Sequence, residues 1–204
     1  MTVPFVPYAQ SNFPGSFRIT ADGLIVGTAL PDPATRFSLA GGVLDNSETL
    51  PMWGGIAIEE LIPTDNPSSS PLTILGGHIK RATTVAQITG FSVFDQNYAA
   101  INSPSSPVPQ TGAWGLVNFH RLGSGQRLVL EIDPALVSLY GDPITQQVSW
   151  DFSAQRIIAF ATTALVGVKI LTVVGSNCMA PSYNSGTGAL TWNANAAAAI
   201  VELS

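Results

Sequence analysis

Charged side chains are scarce in this chain. Asp, Glu, Lys and Arg make up 10% of its 204 residues, against about 25% in ordinary soluble domains. Lys and Arg number 8 and Asp and Glu 13, for a net charge of −5. That balance weighs against nucleic-acid binding, because phosphate contacts need a Lys/Arg-rich face. Cysteine is nearly absent. One residue, Cys178, excludes an intrachain disulfide and a thiolate metal cluster. It has no basic neighbour in sequence to lower its pKa, so it reads as a buried or loop thiol. His78 and His120 are the only histidines. No HxH or HExxH spacing joins them, so they read as structural or surface residues. The start, Met1-Thr-Val-Pro-Phe-Val-Pro-Tyr8, lacks a basic region and is broken by Pro4 and Pro7, unlike a secretory signal. No Asn-x-Ser/Thr sequon occurs. The expectation is synthesis in a cytoplasm without export.

Hydrophobic residues are plentiful, at 46%, enough to bury a sizeable core and to exclude disorder. Gly (19) and Pro (15) are spread along the whole chain. Between them lie short runs rich in β-branched and aromatic residues, among them Phe17–Thr20, Leu24–Gly27, Arg36–Ala40, Ile56–Glu60, Leu72–Lys80, Ala113–His120, Arg127–Asp133, Gln147–Phe152, Ala189–Trp192 and Ala198–Leu203. In Gly90–Asp95 and Gly115–His120 apolar and polar residues alternate, as half-exposed antiparallel strands require. The pattern predicts an all-β protein: a jelly-roll-like sandwich or barrel of about a dozen short antiparallel strands. Ile157 to Val174 is long and apolar, but Lys169, Gly167 and several Thr favour two half-buried strands around a turn over a membrane helix. Asp133-Pro134 through Gly141 has the N-cap, N1 and C-terminal signals of one or two helical turns. The Asn195–Ala199 run has helical propensity, but the alternation of Ile200–Leu203 makes it part of a closing strand. Pro63–Pro71 and Ser103–Pro109 read as surface loops. Residues 17–204 are expected to form one domain. Residues 1–16 read as either a fraying tail or an extended docking arm; the arm is expected, with Phe5, Tyr8 and Phe13 as the candidate anchors, since aromatics bury large areas at interfaces.

Site chemistry is hard to find. There is no GxSxG elbow for a serine hydrolase. Glu59 and Glu60 are adjacent and point to opposite faces of a strand, so they form no catalytic pair by themselves. Gly123-Ser-Gly125 and Gly186-Thr-Gly188 lack the Lys-Ser/Thr and following helix of a phosphate loop, and read as hairpin turns. Trp53, Trp114, Trp150 and Trp192 read as core residues or as a sugar-stacking platform. No catalytic residue, metal, cofactor or small-molecule substrate is expected.

The order of several segments is informative. Gly90-Phe-Ser-Val-Phe-Asp-Gln96 is followed by Arg121-Leu-Gly-Ser-Gly-Gln-Arg127, Asp133-Pro134, Gly141-Asp-Pro143, Val148-Ser-Trp-Asp151 and Tyr183-Asn-Ser-Gly-Thr-Gly188 with Thr191-Trp192. This arrangement, over residues 75–203, resembles the capsid decoration (cement) proteins of tailed bacteriophages. The resemblance implies a β-rich, jelly-roll-like structural protein without enzymatic activity. It would be made in the host cytoplasm and found in the virion, on the outer surface of the capsid. Its partners would be the major capsid protein and other copies of itself, as a dimer or trimer, with no membrane. The alternative is a receptor- or carbohydrate-binding β-module of the phage-fibre or lectin type.

Overall fold

A computed structural model describes residues 24–30, 35, 37–61, 77–94, 108–112, 114–139 and 147–204. They form ten strands: β1 (Leu39–Leu44), β2 (Ala57–Leu61), β3 (His78–Arg81), β4 (Gly90–Ser92), β5 (Leu116–Arg121), β6 (Arg127–Ile132), β7 (Val148–Asp151), β8 (Arg156–Ala159), β9 (Val168–Asn184) and β10 (Ala189–Leu203). The protein is all-β; among the described residues the only helical turns are 3-10, at Val85–Gln87 and Pro134–Leu139. The second matches the helical turns expected after Asp133, whose Oδ1 accepts the Ala135 N–H (2.9 Å). Among the described residues no helix is long and apolar enough to cross a membrane.

Strands β1–β5 close into a barrel in the order β1-β3-β2-β4-β5, and the others form a sheet in the order β7-β8-β6-β10-β9. Both sheets are mixed. β1 runs parallel to β3 and β6 parallel to β8, which corrects the expectation of antiparallel strands throughout. The strands are also not uniformly short. The expected strands at Ala189–Trp192 and Ala198–Leu203 are one continuous β10, paired with an equally extended β9. The stretch Ile157 to Val174 does hold two strands, β8 and the start of β9. β8 and β9 sit on opposite sides of β6 and β10 and do not pair with each other.

Residue size explains the layering. The barrel interior holds Leu44, Ile56, Ile58, Ile79, Val117 and Phe119. Ala57 and Phe91 point out of the barrel wall, into the main core against Leu128, Leu130, Ile132, Trp150 and Ile157 of the second sheet. Phe91 meets Trp150 edge-on at 5.1 Å. Each of the large aliphatic and Phe side chains there contributes about 1.5–3 kcal/mol on burial, so the two sheets share a joint core. This also corrects the reading of Gly90–Asp95 as half-exposed. Ser92, on the polar face, is buried, its hydroxyl accepting the Ile56 N–H (2.9 Å) and donating to the Trp53 carbonyl (2.5 Å).

The alanines of β10 lie where both faces of a strand are covered. Ala197 and Ala199 face the main core. Ala196 and Ala198 face a smaller core with Val26, Val129 and Cys178. Residues 24–30 form a strap over that second face, bridging Ile25 to Met179 of β9 and Ala29 to Leu128 of β6. Small side chains let the strap approach closely. At Gly27 (φ 84) a Cβ would fall 2.3 Å from the Gly54 backbone, so no other residue fits.

Candidate functional site

From Ile170 through Val201 the chain has no Asp, Glu, Lys, Arg or His. That stretch is most of the β9–β10 hairpin. Asn184 organises its turn, its Oδ1 accepting the N–H groups of Gly186 (2.9 Å) and Thr187 (3.2 Å). In the distal half, Tyr183, Leu190 and Trp192 face inward onto Phe94, Val108 and Trp53. Trp53 stacks on Tyr183 with ring centroids 5.7 Å apart, and the Arg81 guanidinium lies over the Trp53 ring, 4.6 Å from its centroid. Ser182, Asn184, Ala189 and Thr191 lie on the opposite face, in register across the two strands and exposed. Asn193, Ala194 and Asn195 extend this surface at a bulge. The result is an outward surface of hydroxyl, amide and methyl groups without a charge.

The charges lie elsewhere and are largely paired. Arg121 makes a bidentate pair with Glu60 (2.8 and 2.6 Å), which holds that carboxyl below its ordinary pKa. Lys80 pairs with Glu59 (3.2 Å), Arg81 with Glu48 (3.7 Å) and Arg127 with Glu202 (3.8 Å). Glu59 and Glu60 thus have separate cationic partners, as their opposite orientations predict. On the second sheet Arg156 pairs with Asp133 (3.1 Å). Burial pushes nearby Glu131 up to about 7, with Arg156 opposing the shift and Asp133 adding to it. Among the described residues no group of three His, Cys, Asp or Glu is placed to hold a metal ion.

The four tryptophans divide. Trp150 is buried, Trp53 and Trp192 are half-buried, and Trp114 is 62% exposed. Trp114 also has a left-handed backbone, φ 66, which is uncommon for a bulky residue. Its N–H donates to the Leu44 carbonyl (3.0 Å). Its indole stands edge-on to His78, with centroids 6.1 Å apart at 85°. His78 Nδ1 lies 2.9 Å from Asp45 Oδ2. The Asp45 carboxyl is lowered to about 2, first by the Ser47 hydroxyl (2.6 Å) and then by His78.

The other singled-out residues have structural settings. His120 is 4% exposed, with Nδ1 3.0 Å from the Ser38 hydroxyl. Cys178 is buried beneath the strap, and desolvation raises its pKa. Gly186–Gly188 is the β9–β10 hairpin turn. Gly123–Gly125, expected as another, instead carries the chain from the barrel to the second sheet, because β5 and β6 do not pair. Phe5, Tyr8 and Phe13, with the whole 1–16 arm, lie outside the described residues, as do the expected strand Phe17–Thr20 and most of the two Pro/Ser loops. The uncharged hairpin is the feature that residue-by-residue motif reading passes over. Its signal is the spacing between successive charges.

No protein-family model matches this chain, and no curated protein or solved structure matches it.

Proposed function

We propose that the protein is a structural component of a bacteriophage virion that binds the outer surface of the capsid and cements it. The observation that carries this reading is the charge-free outer face of the β9–β10 hairpin. Hydroxyl and amide groups cost far less to desolvate than ions, so this face suits lasting contact with protein. Copies with a net charge of −5 repel one another when set side by side, and a face without charge limits that repulsion where they meet. The major capsid protein and further copies of the chain, as a dimer or trimer, are the partners. Residues 1–16 serve as an arm with Phe5, Tyr8 and Phe13 as anchors, and residues 17–204 as one jelly-roll-like unit. No catalysis is part of the role.

Cementing is then thermodynamic linkage. A ligand that binds the assembled shell, and not its dissociated subunits, stabilises the shell by its own binding free energy. Repetition over the lattice multiplies the effect.

The test is to mix purified protein with expanded capsids that lack it, and to heat them. Saturable binding and a higher temperature of shell disruption are expected. Absence of binding, or binding without stabilisation, would overturn the reading. Deleting residues 2–14 tests the arm separately: unchanged occupancy removes it from the mechanism.

A further inference from the structure

The hairpin face leaves Trp114 unexplained. A bulky residue in the left-handed region costs about 1–3 kcal/mol unless its surroundings compensate. Burial does not supply the compensation here, because the indole is 62% exposed. The backbone there is nevertheless held by two hydrogen bonds, Trp114 N–H to Leu44 O and Gly115 N–H to Gly112 O (both 3.0 Å). His78 braces the ring from the side, and Asp45 and Ser47 in turn hold His78. The local structure therefore presents an indole to solvent in one orientation.

The barrel wall beside it carries an apolar strip. Register places His78 of β3, Val43 of β1 and Leu116 of β5 side by side on the outer face, with Gly41 and Asn118 paired two residues along. Gly41 adds no side chain to that wall, and Leu116 is 59% exposed. Hydrogen-bonding groups lie on both sides of the apolar strip. The Asp45 carboxylate can only accept, so in the neutral His78 ring Nδ1 carries the hydrogen and Nε2 is an acceptor. Asn118 offers an amide, which both donates and accepts.

We propose that Trp114, with His78, Asn118 and the Val43–Leu116 strip, forms a carbohydrate-binding site that takes a pyranose ring of a polysaccharide. The electron-rich indole face attracts the polarised C–H groups of a sugar. Hydroxyls at the ring's rim then reach His78 Nε2, and those of a neighbouring sugar unit along the strip reach Asn118, one row further on. A flat, exposed ring beside an imidazole, with an amide further along the wall, fits this chemistry better than a protein hot spot, which sits in a fully desolvated pocket. The proposal does not rest on the capsid role and is tested on the isolated protein.

Affinity electrophoresis of the full chain in gels containing dextran, mannan or a galactan is the experiment, with indole fluorescence as a second readout. At least one polysaccharide should retard the protein. Trp114→Gly and Trp114→Ala should each lose about tenfold or more in affinity, and Asn118→Ala about threefold. Circular dichroism of each variant separates loss of binding from loss of fold. Wild-type mobility in all three gels, or a folded Trp114→Gly variant that is still retarded, overturns the proposal. If Trp114→Gly instead weakens self-association or capsid attachment and no polysaccharide binds, Trp114 is a protein anchor and the carbohydrate assignment is wrong.

Discussion

The backbone N–H of Ala57, on the barrel, donates to Oε1 of Gln155, on the turn between β7 and β8, at 3.1 Å. Gln155 is 5% exposed, sits at φ 55, and returns its Nε2 hydrogens to the Phe152 carbonyl (2.6 Å). One amide therefore satisfies a donor of one sheet and an acceptor of the other. Gln155→Ala orphans both and should cost about 2–3 kcal/mol. At this size that lowers the melting temperature by roughly 5–10 °C. Gln155→Gly should cost less than Gln155→Ala, because glycine accepts the left-handed backbone. Calorimetry of the two variants checks both statements. A loss under about 0.5 kcal/mol, the range of an ordinary surface change, would refute the role.

Glu131 gives stability an unusual pH dependence. Its folded pKa is raised to about 7 by burial, against about 4.3 for an unperturbed glutamate. Between those values the folded state holds the proton more tightly than the unfolded state, so stability falls as pH rises from about 4.5 to 7. A loss of about 3 kcal/mol is expected over that window. Asp45 has the opposite sign. Its carboxyl is lowered to about 2, so its contribution is present above pH 4 and is lost as pH falls toward 2. Urea unfolding of Glu131→Gln against pH should show the first slope gone and the second kept.

The hairpin face predicts how capsid binding responds to charge. Thr191→Lys and Ser182→Glu sit on exposed strand positions in register, and each should change stability by less than about 0.5 kcal/mol. Each buries an unpaired charge if the face is covered, so capsid affinity should fall by about tenfold or more. Wild-type binding should change little with added salt, since few exposed charges are there to screen. Sedimentation with capsids across a salt series, with both variants, measures all three outcomes.

Trp114 should invert a familiar ranking. Glycine ordinarily destabilises relative to alanine through its unfolded-state entropy. At φ 66 alanine keeps the strain and glycine relieves it, so Trp114→Gly should be more stable than Trp114→Ala by about 1 kcal/mol. Midpoints of urea unfolding decide the order. The reverse order would mean that the turn relaxes once the indole is gone.

The strand content was legible because β-branched runs separated by Gly and Pro do form strands here. Pairing was not. β5 and β6 look like a hairpin around Gly123–Gly125 yet belong to different sheets, since Phe119 fills the barrel while Leu128 and Leu130 fill the joint core. The alternation in Gly90–Asp95 failed as an exposure signal because tertiary packing covers both faces. Ala196–Ala199 favours a helix locally, but covered on both sides it serves as the thin stretch of β10 that lets the strap lie close. Of the candidate sites, the histidines and Cys178 have the structural settings their isolation implied. Trp114 looks like the other tryptophans in sequence, because a left-handed backbone at a bulky residue has no sequence signature.

The strap has a temporal consequence. Residues 24–30 find their bridging partners on β6 and β9, and β6 is flanked by β10. The strap at residues 24–30 therefore has no complete seat until the β9–β10 hairpin has formed. Contacts so distant in sequence close slowly, and until they close Val26 and the alanine face it covers are open to neighbouring chains.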